Sequence, residues 1–107
     1  SQLATRGSPH GADYAASKAA LSTWARSLAL AVGPEGKRVN VLAPGYVDTD
    51  ILAGDSDEKR NQRIQEVPLK RIGTGDDMAS IVSFLLSSDA AYITGSVLHA
   101  NGGLYLP

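Results

Sequence analysis

Two short aliphatic runs, Arg38-Val39-Asn40-Val41-Leu42-Ala43 and Ser96-Val97-Leu98-His99-Ala100, each follow a stretch with the apolar spacing of a helix. The order helix, strand, excursion, helix, strand rules out a hairpin between the two runs. Strands joined through a helix lie parallel, and parallel sheets are covered by helices on both faces. The expected class is therefore α/β with a doubly wound parallel sheet. Two strands leave both faces and both edges of such a sheet open, so further strands are expected to precede Ser1.

The first helix is expected over Asp13 to Val32, where Leu21, Trp24, Ala25, Leu28, Ala29 and Val32 follow the i, i+3, i+4, i+7 rule. Packing, not stacking on a substrate, is the reading of Trp24. Gly33-Pro34-Glu35-Gly36 stops this helix, and Pro44-Gly45 ends the strand behind it. Between Asp76 and Ser88 a second helix turns Met78, Ile81, Val82, Phe84, Leu85 and Leu86 inward, with Thr74 or Asp76 as its cap. Asn101-Gly102-Gly103 ends the last strand. The segment Asp48 to Arg71 reads as a mobile excursion with a weak amphipathic helix through Ile64 and Val67. Its charges from Asp55 to Arg63 read as a solvated loop face.

Composition narrows the functional classes. Ten basic residues against eleven acidic ones, scattered along 107 positions, give a net charge of -1 and no basic patch for nucleic acid. No apolar run reaches the length of a membrane span. Without cysteine there is no disulfide framework and no thiolate metal site, which fits a reducing compartment; a cytoplasmic location is expected. His10 and His99 stand far apart with no carboxylate pattern beside them, so no metal is expected.

One feature of the first helix does not belong to a core. Tyr14 and Lys18, four residues apart, continue the stripe of Leu21, Ala25, Leu28 and Val32 toward the helix start. A phenol ordinarily titrates near pH 10 and is a poor acid or base at neutrality; a nearby ammonium favours its phenolate. Such a pair can work as an acid/base couple on an alcohol or carbonyl oxygen. Hydride transfer, the other half of a carbonyl reduction, needs a nicotinamide.

With these residues the chain resembles the short-chain dehydrogenase/reductase family, whose active site carries Tyr-x-x-x-Lys and a serine thirteen residues before the tyrosine; that position is Ser1. The resemblance implies the C-terminal part of a single NAD(P)-binding Rossmann-type domain, residues 1–107, with the nucleotide-binding half absent from the chain. It implies that Tyr14 is the general acid/base and that Ser1 positions the substrate oxygen. Lys18 would lower the pKa of the phenol and hold the nicotinamide ribose. The run Val39 to Asp50 is similar to the strand and loop under the cofactor. There Pro44 and Gly45 would floor the site, Val47 would meet the carboxamide through its backbone, and Thr49 would bond the carboxamide or the phosphates.

The stretches YITGSVLHANGGLYLP and Val67 to Gly73 resemble 3-oxoacyl-[acyl-carrier-protein] reductases within this family. The resemblance implies NADP, with NAD possible, a small-molecule or acyl-carrier-bound ketone as substrate, and a homotetramer or homodimer. Ala16, Ala20, Thr23 and Ser27 supply a small-residue face for close helix approach. Glu35 stands where carrier-dependent members place a basic docking residue, with Lys37 and Arg38 close behind. Other small ketones, sugars or acyl-CoA thioesters, or a non-catalytic assembly role, are the alternatives.

Overall fold

The computed structural model describes all residues, Ser1–Pro107. In chain order the elements are α1 (Leu3–Arg6), α2 (Ala12–Val32), β1 (Val41–Pro44), α3 (Asp50–Ala53), α4 (Asp57–Glu66), α5 (Gly75–Leu86) and β2 (Val97–Ala100). The strands pair in parallel, with Val41 opposite Val97 and Pro44 opposite Ala100. Parallel pairing through the intervening helices is the arrangement the α/β order dictates.

β1 begins later than the aliphatic run, because Asn40 pairs through its side chain. Its Nδ2 donates to the Ile93 carbonyl at 2.9 Å and its Oδ1 accepts the Ser96 N–H at 3.1 Å. The Arg38 guanidinium donates to the carbonyls of Ser87 and Ile93, 3.3 Å each. These bonds fasten the entry of β1 to the turn that leads into β2.

The apolar stripes of both long helices are correctly periodic but largely uncovered. Leu21, Trp24 and Leu86 are 51%, 60% and 78% exposed, and on α2 only Ala15, Ala25 and Ala29 are buried. Trp24 therefore does not pack within this chain. The physical reason is the width of the sheet: two strands of four residues cannot cover a helix of 21 residues, which rises about 30 Å. Periodicity identifies the face that is apolar, and coverage depends on what lies opposite.

The charged stretch is a helix and not a loop. In α4 the Ser56 hydroxyl accepts the Lys59 N–H at 3.2 Å, and Asp57 and Glu58 occupy the first turn, where the helix dipole favours acids. Asp55, its side chain only 8% exposed, holds Arg63 at 2.6 Å and Lys59 at 3.2 Å. At the start of α5 Thr74 is the cap. Its hydroxyl accepts the Asp77 N–H while the Asp77 carboxylate accepts the Thr74 N–H, a closed capping box. Arg71 donates twice to the same carboxylate, at 2.6 and 2.9 Å, and holds Asp77 well below the usual carboxylate range, with the Thr74 bonds adding to the effect.

The tail closes back on the end of α4. Asn101, 8% exposed, donates to the Tyr105 carbonyl at 2.7 Å and accepts the Gly103 N–H at 2.9 Å. Gly102 sits at φ +63° with buried Val67 so near that a Cβ would lie 2.6 Å from its Cγ1; only glycine fits there without strain.

Candidate active site

The carboxyl end of β1 holds several of the candidate residues: Ser1, Pro44, Gly45, Val47 and Thr49. The Gln2 N–H donates to the Pro44 carbonyl at 3.2 Å, which seats Ser1 and the start of α1 beside the strand end. The Ser1 hydroxyl oxygen accepts the Leu3 N–H at 3.2 Å, so its own hydrogen is left to donate elsewhere. α1 packs against α2, the helix that carries Tyr14 and Lys18. The Lys18 Nζ lies 5.5 Å from the centroid of the Tyr14 ring. Tyr14 is 48% exposed, and the ammonium forms no ion pair within the chain. Ser1 thus sits beside Pro44 at the end of β1, at the start of a helix packed against the one that carries Tyr14 and Lys18.

Gly45 continues β1, its N–H donating to the Ala100 carbonyl at 3.1 Å. The sequence assigns this glycine to the approach of a cofactor. In the structure its close neighbour is Asn101: a Cβ on Gly45 would lie 2.7 Å from the Asn101 Cβ and 2.9 Å from its Cα.

The next three residues run parallel to Gly73. The Gly73 N–H donates to the Tyr46 carbonyl at 2.9 Å, and the Asp48 N–H donates to the Gly73 carbonyl at 2.8 Å. Because successive peptide groups point to opposite sides of an extended chain, Val47 turns its N–H and C=O away from Gly73, and neither is bonded within the chain. Thr49 starts α3 with a hydroxyl that makes no capping bond.

Sequence reasoning missed the grip on this segment. Arg60 of α4 holds Asp48 with two bonds, 3.1 and 3.0 Å, and lowers the carboxyl's pKa. The Tyr46 hydroxyl donates to Glu66 at 2.8 Å under the Arg63 guanidinium, 4.8 Å from the ring centroid. Burial first, then Glu66, push the Tyr46 phenol above its ordinary value. The available signal was the acid-before-base spacing of Asp55 and Lys59, which supports a helix and hence one side of charges for Tyr46 and Asp48 to meet.

A cavity of about 750 Å³ lies apart from the tyrosine and lysine. Tyr46, Met78, His99, Asn101 and Tyr105 help to line it, and Ser1, Tyr14 and Lys18 do not. Tyr14 and Lys18 instead stand on an open face, so chemistry and not concavity marks the site.

A family model described as Enoyl-(Acyl carrier protein) reductase matches residues 1–105. Over 106 residues, 99% of the chain, the sequence is 44% identical to 3-oxoacyl-[acyl-carrier-protein] reductase FabG of Salmonella typhimurium and equally to that of Escherichia coli. A crystal structure of a short-chain dehydrogenase/reductase from Brucella melitensis superposes with a TM-score of 0.91 at 32% identity, covering 98% of this chain and 42% of that one. The chain belongs to the short-chain dehydrogenase/reductase family. It spans 43% of the length of the two reductases named above. Its α/β elements are those of the Rossmann-type fold of that family. Membership implies a nicotinamide cofactor. The Lys18 ammonium and, beyond the strand end, the Thr49 hydroxyl have the hydrogen-bonding chemistry to hold oxygens of such a group. The free N–H and C=O of Val47 match the acceptor and donor of a carboxamide.

Proposed function

We propose that this chain is the C-terminal part of one NAD(P)-binding domain and carries the acid/base machinery of an NADPH-dependent reductase. Its substrate is a ketone, a 3-oxoacyl thioester converted to the 3-hydroxyacyl thioester. The observation that supports the reading is the Lys18 ammonium 5.5 Å from the Tyr14 ring on α2, the helix packed against α1, whose start is seated with Ser1 at the carboxyl end of β1. The 44% identity to 3-oxoacyl reductases supports the substrate class.

The bound nicotinamide supplies hydride to the carbonyl carbon. The protein's own residues handle the oxygen. Ser1 donates a hydrogen bond to the carbonyl oxygen and fixes its direction. Tyr14 then gives its phenolic proton to the oxygen as negative charge develops there, and the Lys18 ammonium beside the ring stabilises the phenolate left behind. Pro44 and Gly45 form the floor, and Val47 and Thr49 fix the carboxamide through the groups left unpaired. NADPH over NADH, a cytoplasmic setting and a homotetramer or homodimer belong to the same reading. The assembly is supported by the exposure of Ala16, Ala20, Thr23 and Ser27 along α2. Carrier docking near the end of α2 would have to use other charges, since Lys37 is paired with Glu35 and Arg38 is committed to two carbonyls.

The test is NADPH oxidation by the full-length protein that carries this chain, with an acetoacetyl thioester as substrate. Tyr14→Phe is expected to lower turnover by about 100-fold to 10,000-fold while leaving NADPH binding intact. Turnover within twofold of wild type would sink the assignment. A crotonyl thioester in the same assay checks the carbon–carbon double-bond reduction that the family model's description names; preference for it would replace the ketone as substrate.

A further inference from the structure

The grip of α4 on residues 46–48 has a form that links it to the site. Tyr46 and Asp48, the two residues flanking Val47, are each doubly committed: by backbone to Gly73 and by side chain to α4. Val47 between them keeps its peptide groups free. The direction of those groups is therefore fixed from both sides by contacts that do not include Val47 itself. Between residues 46–48 and α4 the charge pair is Asp48 with Arg60, 52% and 38% exposed, within reach of the charges of Asp55 and Asp57.

We propose that Arg60 is a positioning residue: through Asp48 it sets the backbone of Val47 and the start of α3 at Thr49, so that docking of α4 and binding of the nicotinamide dinucleotide favour one another. This rests on the cofactor reading of Val47 and Thr49 given above. The coupling is reciprocal by thermodynamic necessity. Whatever factor the clasp contributes to dinucleotide affinity, the dinucleotide returns to the docked state of α4. An exposed pair limits that factor to about fivefold.

Two readouts test it in the full-length protein. NADPH affinity is measured by the change in NADPH fluorescence for wild type, Asp48→Asn, Arg60→Gln and the exchanged pair Asp48→Lys with Arg60→Glu. The dissociation constant is expected to rise about threefold to fivefold in each single variant and to return toward wild type in the exchanged pair. In parallel, trypsin cleavage after Lys59 and Arg63 is timed with and without NADPH. NADPH is expected to slow cleavage in wild type and to protect less in Asp48→Asn. Single variants with wild-type affinity, no recovery in the exchanged pair, or equal protection in Asp48→Asn each overturn the proposal while leaving the reductase reading in place. A wild type that binds no NADPH overturns that reading, and this inference with it.

Discussion

Replacing Gly45 by alanine tests where the strand end finds its rigidity. The added methyl would stand 2.7 Å from the Asn101 Cβ and 2.9 Å from its Cα. Carbon atoms prefer about 3.5–4.0 Å, so one side has to move by about 1 Å. Asn101 is poorly able to move. It is 8% exposed, bonded through its side chain at 2.7 and 2.9 Å, and follows directly on the last residue of β2. Overpacking against so fixed a neighbour costs about 1–3 kcal/mol. In a domain of 150–250 residues each kilocalorie lowers Tm by about 2–4 °C, so a fall of about 2–12 °C is expected. The assay is thermal unfolding of the full-length protein without cofactor, followed by circular dichroism. If the glycine served only to admit the nicotinamide, NADPH affinity would fall with Tm unchanged. A Tm within 1 °C of wild type would refute the packing argument.

Two further perturbations address the start of α5. Thr74→Ala removes the hydroxyl half of the capping box and is expected to destabilise by about 1 kcal/mol, read as a shift in the urea midpoint with an unchanged m value. Asp77, whose pKa is lowered in the fold first by Arg71 and then by Thr74, contributes stability that is full above the unfolded carboxylate pKa. That contribution is lost as pH falls through the lowered folded value. The stability gap between wild type and Asp77→Asn, measured by urea unfolding, should be constant above about pH 5 and narrow below about pH 4; a gap that widens on acidification would contradict the Arg71–Asp77 pairing.

The contrast between what the sequence reveals and what it conceals follows from the kind of interaction involved. α2, α5 and both strands are legible because apolar periodicity and Gly/Pro punctuation are local signals, and Thr74 announces its cap by position. α4 is only partly legible: a weak amphipathic helix through Ile64 and Val67 is expected, but the charged turns before it bury no residue and read as loop. Its order comes from Ser56, Asp55 and Asp48, which are polar and look like loop chemistry when read without partners. Tyr14 and Lys18 stand out as polar residues on an apolar stripe, whereas Arg60 and Glu66 gain meaning only from residues 12 and 20 positions earlier in the chain. The freed peptide groups of Val47 have no side-chain signature at all. They are a product of the Gly73 bridge, a contact 26 residues distant. Gly45 is visible in the sequence, whereas its close approach to Asn101 is not.

The side-chain amide of Asn40 stands in for backbone where the two strands begin. One end of that amide donates to Ile93 and the other accepts from Ser96, so a single side chain does what two peptide groups do elsewhere along a strand pair. Hydrolysis of the amide to a carboxylate, the common ageing reaction of asparagine, would keep the acceptor toward Ser96 and turn a second acceptor against the Ile93 carbonyl. The Arg38 guanidinium, which already donates to Ile93, would be drawn to the new charge. A change of one atom would thus rearrange the point at which both strands enter the sheet.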